Sequence, residues 1–437
     1  MLDESPRPLL RRLVTWLAPF RACFGHEAQQ VALGQYITGL LGDSARKSMQ
    51  AMLARVTAPV RYQAFQHFIT DAPWDAEAIW RVLRQTLPAR SGVMIFDDTG
   101  FPKKGAHSVG VARQYTGTLG KIGNCQVAVT AMLWSGARAW LIGAALYLPE
   151  AWLLDGARTK ARIPPTVVFR KKWELALGLL REAQAAGVEV TAVLADAGYG
   201  DATAFRAALH EWALAYAVGI ASTTRVFRGT PQLTAPPRAA RPGRGRPAGP
   251  ILAPGYTQVQ VRALAAAWPA TAWQLVTWRN GTNPPRAARF AAGRVTPAHD
   301  WRRSLAPEVW LLAERSLDGS YDDKFFLIHL PADTALVRLD TLAHERWAIE
   351  QQYQQLKTEL GLDHFEGRTY PGWNRHIALT AVAYAFLQRE RLTRPPSVTF
   401  ETIRAIVQEI FTGLIFASHP RYLAWIAEAR DLLPLRL

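Results

Sequence analysis

At 437 residues the chain exceeds one typical core, so two or three structural units are expected, and its 49% hydrophobic and 20% charged residues exclude global disorder. The 51 Lys and Arg against 35 acidic residues give a net charge of +16, which points to a polyanion, either nucleic acid or an anionic membrane. No apolar run reaches the roughly 20 residues of a spanning helix, and the opening MLDESPRPLLRRL lacks a cleavable apolar segment, so nucleic acid is the favoured partner and no membrane is expected.

Residues 1–90 read as helical, with apolar residues at helical spacing over 8–17, 45–55 and 75–87, and with breakers at Gly42-Asp43 and Ala72-Pro73. Arg46, Lys47, Arg55 and Arg61 make part of this segment basic, which suits either a solvated helix face or a DNA-binding domain. The pattern changes at Ser91. A short apolar run, Gly92-Val93-Met94-Ile95-Phe96, is of buried-strand type and is expected to end at Asp97-Asp98-Thr99-Gly100. Strands follow over 126–133 and 139–148, joined by a turn at Ser135-Gly136. Next come a helix over 169–186, a strand over 188–194 ending at Asp196-Ala197-Gly198-Tyr199-Gly200, a helix over 202–212 and a strand over 215–220. Three strands, helix, strand, helix, strand is an α/β order with a central sheet.

From Thr223 to about Pro250 the composition shifts to Arg, Pro, Gly and Ala, which reads as a flexible basic loop that either wraps DNA or simply tethers. Short alternating strands are expected over 256–264, 272–279, 309–315 and 324–330, with turn chemistry at Asn280-Gly281 and Asp318-Gly319. Trp268, Trp273 and Trp278 fall in this β-rich insertion, where core packing competes with stacking on an unpaired base. Helix returns over 340–360 and over 376–391. The two cysteines, Cys23 and Cys125, lie far apart, and the ten His show no zinc spacing. Neither a disulfide framework nor a zinc site is expected, which fits a reducing cytoplasm.

Asp97 and Asp196 sit at the C-terminal ends of predicted buried strands, where an α/β sheet exposes its chemistry and where a short carboxylate can meet a hard cation such as Mg²⁺. Either could equally be a turn former. Arg346, Glu350, Tyr353 and Lys357, spaced by four, three and four residues, make one helical stripe, and spacing alone would make Arg346 and Glu350 a surface ion pair. A Glu-bearing helix beside a sheet bearing two Asp, however, could hold two divalent ions about 4 Å apart, the clamp suited to phosphodiester chemistry. Arg346 and Lys357 would then contact DNA phosphates or position the Glu. Lys103, Lys104, Arg113 and Lys121 make the Gly-rich loop after Asp97 basic and suited to a phosphate backbone. His376, beside Arg375, either approaches the site or serves structure.

Three blocks carry a family resemblance. The first runs Phe96-Asp97-Asp98-Thr99-Gly100-Phe101-Pro102-Lys103-Lys104-Gly105, then Ser108-Val109-Gly110-Val111-Ala112-Arg113-Gln114-Tyr115 and Asn124-Cys125-Gln126. The second is Ala195-Asp196-Ala197-Gly198-Tyr199-Gly200, and the third is Arg346-Trp347-Ala348-Ile349-Glu350, with Lys357, residues 361–368 and Trp373-Asn374-Arg375-His376. In these the chain resembles bacterial insertion-sequence transposases of the DDE, or RNase-H-like, superfamily, within the insertion-sequence-four-like superfamily and its group 701. The resemblance implies an α/β fold with an RNase-H-like core, an N-terminal helical domain and a β-rich insertion before the catalytic Glu helix. The expected segments are a DNA-binding domain over 1–90, core over 91–222 and 336–437, and basic loop with insertion over 223–335. It implies Asp97, Asp196 and Glu350 as catalytic metal ligands, with Asp98 supporting, and Mg²⁺ as two ions for which Mn²⁺ can substitute. Terminal inverted repeats and target DNA as double-stranded partners, a homodimer in the DNA complex and a bacterial cytoplasmic location are likewise implied. Arg346 and Lys357 match the Arg and Lys of the family's Tyr-Arg-Glu-Lys signature. The signature's Tyr falls at Ala343, which leaves the route of end cleavage, through a DNA hairpin or otherwise, open.

Overall fold

The computed structural model describes residues 6–234, 250–279, 286–395 and 397–432. It is a mixed α/β structure whose strands are β1 (Ser91–Pro102), β2 (Ala112–Thr116), β3 (Lys121–Trp134), β4 (Ala139–Leu146), β5 (Glu189–Ala195), β6 (Tyr216–Ile220), β7 (Arg225–Arg228), β8 (Leu233–Thr234), β9 (Ile251–Leu252), β10 (Val259–Gln260), β11 (Gln274–Arg279), β12 (Arg286–Pro297), β13 (Val309–Arg315) and β14 (Lys324–His329). The chain forms two compact units that cut across the expected segments. One comprises Met1–Ser91, Asp98–Glu189 and Ile349–Leu437, and the other Gly92–Asp97 and Val190–Ala348.

In the first unit, β3 pairs antiparallel with both β2 and β4. Residues Cys125–Leu133 of β3 are buried on both faces, which is why this stretch is a near-continuous apolar run and not an alternating one. Helices cover it. Tyr370–Leu392 is buried almost all round and starts earlier than its sequence pattern suggests, because Thr369 caps Gly372 N and Pro371 fits the first turn. Helix Ala76–Thr86 is amphipathic as expected and is capped by Asp75. The 45–55 helix shrinks to Met49–Leu53, capped by Ser48. Helix Glu27–Leu41 gives no clear stripe in the sequence, since Gln29, Ala32, Leu33, Tyr36, Ile37, Gly39, Leu40 and Leu41 are buried around much of its circumference.

Buried cations tie this unit together. Arg84 donates to Ile142 O at 2.8 Å and pairs with Glu77 and Glu182 at 2.9 and 3.1 Å. Arg375 donates to the carbonyls of Ile69, Ala72 and Trp74 at 2.6–3.1 Å. His376 is fully buried between Tyr36 Oη (2.8 Å) and Gly361 O (3.0 Å), and burial pushes its pKa down to about 4. Arg375 and His376 are therefore structural.

In the second unit the strand order is β10-β7-β12-β13-β14-β6-β5-β1, with β11 on β12. The β5–β6 pair is parallel, whereas β14 lies antiparallel on β6 with Phe326 opposite Gly219 and Leu327 opposite Val218. The insertion is thus no separate layer: its strands extend the sheet of β5 and β6. Within it, the strand expected over 256–264 is only Val259–Gln260 before helix Val261–Ala266 buries Val261, Leu264 and Ala265. The twelve residues of β12 escape propensity reasoning because Ala, Arg and Gly make up most of it, and it is held by pairing to β7, β11 and β13. Residues 225–228 of the supposed basic loop form β7, while 235–249 and the Asn280-Gly281 turn lie outside the described residues. The Asp318-Gly319 turn is present, with Gly319 at φ +72° and Asp318 Oδ1 accepting from Ser320 N at 3.0 Å.

Candidate active site

β1 does not stop at Asp97. It runs on to Pro102, so Asp97 and Asp98 are adjacent strand residues on opposite faces, not a turn. Asp97, one-fifth exposed, faces Arg346, whose Nη1 lies 3.3 Å from its Oδ2. Asp98 pairs instead with Lys172. Sequence reasoning missed Lys172, yet a signal was there. Three consecutive cations, Arg170-Lys171-Lys172, precede or open helix Lys172–Ala185, where the helix dipole disfavours positive charge unless an acid answers it.

Asp196 does end its strand. It is the N-cap of the short turn Ala197–Gly200, its Oδ1 accepting from Gly198 N at 2.9 Å, so this residue does form the turn. The glycines behind it are steric necessities: a Cβ on Gly200 would collide with Gly219 O of β6, and one on Gly219 would stand 3.0 Å from Ala197 N. Tyr199, buried on Phe205, closes the turn, and Phe205 in turn meets Phe96 of β1 edge-on. Because β1 and β5 are neighbours in the sheet, the same packing fixes both aspartate-bearing strands.

The helix expected over 340–360 is broken. Leu336–His344 is α-helical, Glu345–Trp347 is a 3-10 turn, Ala348–Gln354 is α-helical and Gln355–Glu359 is π-helical. The regular stripe of Arg346, Glu350, Tyr353 and Lys357 is thereby interrupted on both sides of Glu350. Glu350 itself is exposed in the first turn of its helical segment, where the dipole favours a carboxylate. Tyr353 and Thr130 share a hydrogen bond between hydroxyls. Lys357 donates to Gly100 O and Thr118 Oγ1, both at 3.0 Å. Ala343, at the place of the signature Tyr, is buried.

The basic residues after Asp97 divide. Lys103 is buried, its Nζ donating to Phe365 O at 2.7 Å and Asp363 O at 3.2 Å, and burial lowers its pKa. That corrects its reading as a phosphate contact, since the ammonium is committed to carbonyls inside the protein. Lys104, Arg113 and Lys121 are exposed. Trp273 is buried beneath the Arg315 guanidinium and against Trp268, both core roles, while the Trp278 side chain lies outside the described residues.

A DDE superfamily endonuclease family model matches residues 19–285. The chain belongs to the DDE superfamily of endonucleases. The matched stretch includes Asp97 and Asp196 and stops short of Arg346, Glu350 and Lys357. A "probable transposase for insertion sequence element IS701" from Microchaete diplosiphon is 33% identical over 190 residues, 42% of this chain and 47% of the relative. The chain thus spans about half the length of that curated relative. A piggyBac transposase synaptic complex with hairpin DNA, solved by cryo-electron microscopy, aligns over 98% of this chain and 84% of that one at 9% identity and a TM-score of 0.42, too distant a likeness to carry an argument.

Among the described residues, no three His, Cys, Asp or Glu side chains stand together as a ready-made metal site. Donor chemistry nevertheless fits a hard divalent cation, because Asp97 on β1 and Asp196 at the end of the neighbouring β5 are both carboxylates. No helix of the described residues is long and apolar enough to cross a membrane.

Proposed function

We propose that the chain is an insertion-sequence transposase built on an RNase-H-like core. It binds the terminal inverted repeats of its element, cuts phosphodiester bonds at the ends and joins them to target DNA. The observation that carries this reading is that Asp97 on β1 and Asp196 at the end of the neighbouring β5 stand on adjacent strands of one sheet, both within the residues that the family model matches. Asp97, Asp196 and Glu350 are the proposed catalytic carboxylates, and they would hold Mg²⁺ or Mn²⁺. Two such ions supply an activated water or 3′-hydroxyl and stabilisation of the leaving oxygen.

The chain's own residues prepare this chemistry. Arg346 holds Oδ2 of Asp97 from 3.3 Å. Gly198 N occupies one oxygen of Asp196 and so sets the direction of the other. Lys104, Arg113 and Lys121 are the proposed phosphate contacts on the DNA, while the basic helices of residues 1–90 are proposed to take part in end recognition. Two ends handled together call for two protomers in the DNA complex.

The deciding experiment is Mg²⁺-dependent cleavage of a DNA fragment carrying the element's end, with wild type beside Glu350→Gln. Specific cutting by wild type alone is expected, followed by joining to a target duplex. Equal cutting by both proteins removes Glu350 from the site. Cutting without joining makes the chain a nuclease, and binding without cutting makes it a DNA-binding protein that has lost its chemistry.

A further inference from the structure

The hairpin of β2 and β3 is tied down on one face and exposes an apolar pair on the other. On the held face Thr116 is buried against Gly100 of β1, where a Cβ would collide with Thr116 Oγ1. The tip is fixed as well. Thr118 Oγ1 donates to Gly100 O at 3.2 Å, and Lys357 Nζ reaches both of those oxygens at 3.0 Å. Leu119 folds back over β3, since a Cβ on Gly123 would lie 2.6 Å from Leu119 Cδ1.

On the other face Tyr115 and Ile122 are direct cross-strand partners, yet they are 63% and 61% exposed. A cross-strand aromatic–aliphatic pair usually helps a sheet by being covered, whereas this one is left open to solvent. Cations surround it: Arg113 is exposed on the same face two residues before Tyr115, and Lys121, next to Ile122 at the start of β3, and Lys104 on the preceding loop are exposed as well. An isologous contact with a second copy would set these like charges against one another. A partner with flat apolar faces edged by negative charge satisfies both features, and nucleic-acid bases flanked by phosphates have that form.

We propose that Tyr115 and Ile122 form a wedge that stacks against unpaired bases of the DNA, with Arg113 and Lys121 holding the flanking phosphates. The held face gives the wedge its stiffness, and Lys357 acts as a positioning residue for it. This rests on the DNA-processing reading, but it names a surface and a substrate feature, locally unpaired DNA, which that reading does not require.

The test is equilibrium binding of the full chain, by fluorescence anisotropy, to two labelled duplexes identical but for a short central mismatch. Wild type should bind the mismatched duplex on the order of tenfold more tightly, because the stacking energy is then not offset by unpairing. Tyr115→Ala/Ile122→Ala should lose that preference while keeping its affinity for the paired duplex, and Tyr115→Phe should keep both. Since both side chains are exposed, an unchanged far-ultraviolet spectrum and melting curve are expected for the double variant. A preference retained by the double variant overturns the wedge, as does a wild type that binds paired DNA but does not favour the mismatch. A wild type that binds neither duplex removes the DNA reading itself, and the wedge with it.

Discussion

Two sets of acidic residues in the same unit are treated in opposite ways. At β1 and β5, Asp97 lies 3.3 Å from a guanidinium and Asp196 accepts from a backbone amide at 2.9 Å, and both side chains stay part-exposed. Beneath the insertion, Glu314 and Asp340 are each 1% exposed and grip His344 from both sides, at 3.4 Å and 2.7 Å, while Tyr321 and Lys324 close on Glu314 at 2.7 and 3.1 Å. These buried carboxylates face His344, Tyr321 and Lys324 inside the fold, whereas those at the strands are part-exposed. The difference separates acids that hold a fold from acids that can hold a substrate, although a sequence shows both simply as Asp and Glu.

The largest effect expected from this contrast is on chemistry. Asp97→Asn or Asp196→Asn should lower end cleavage by about a thousandfold or more, while specific DNA binding stays within a few-fold. Their stability should move by no more than about 1 kcal/mol, as for other part-exposed ion pairs. Urea unfolding of Asp97→Asn beside a cleavage assay reads both quantities. A variant that unfolds easily and cuts normally would place Asp97 among the structural acids. Next in size is Glu314→Leu, which leaves His344 and Lys324 facing an apolar side chain and should cost about 3–5 kcal/mol of stability. Cleavage per folded molecule should be little changed.

The buried cluster also has a pH signature. Burial alone would push His344 down, but its hydrogen bonds to Asp340 and Glu314 reverse that and hold it at about 9, above the ordinary 6.5. Burial likewise opposes the charged form of Glu314, yet His344, Tyr321 and Lys324 hold it well below the usual range. A raised histidine gives stability that is whole below pH 6.5 and is lost as pH climbs towards 9. A lowered glutamate gives stability that is whole above 4.5 and is lost on acidification. The free energy of unfolding should therefore be highest from about pH 4.5 to 6.5 and should fall on the alkaline side, a fall that His344→Phe flattens. A wild-type profile level from pH 6.5 to 9 would show His344 to be uncharged in the folded chain.

How much of this was legible in the sequence follows from the kind of signal each part sends. The run from β3 to β6 is set by apolar strands and amphipathic helices, and every one of those elements is present within a few residues of its expected bounds. The insertion departs from its sequence pattern where tertiary pairing overrules propensity, as in the Ala-rich β12, and where a helix of six residues hides among alternating ones. Its joining to β6 through β14 is a long-range pairing that no local pattern announces. At the site, the position of Asp196 followed from the strand–Asp–Gly pattern. The continuation of β1 past Asp97 did not, because Asp-Asp-Thr-Gly has the composition of a turn and is held extended by its neighbours in the sheet. The breaks around Glu350 leave no mark in a stretch free of Gly and Pro before Gly361.

The smallest predicted effect carries the same contrast to the cations. Lys103 and Lys104 are sequence neighbours with the same charge, but the first is buried on carbonyls and the second is exposed. If Lys104, Arg113 and Lys121 each meet a phosphate, changing any one to Ala should reduce the slope of log K against log salt by about 0.9, with stability nearly untouched. Lys103→Ala should do the reverse, leaving two buried carbonyls without a donor at a cost of about 1–3 kcal/mol and the slope unchanged. Titrations at several salt concentrations, with a melting curve for each variant, distinguish the two outcomes. A slope lowered by Lys103→Ala with no loss of stability would mean that this lysine leaves its carbonyls for DNA, and the division between structural and partner-facing charge would then depend on whether DNA is bound.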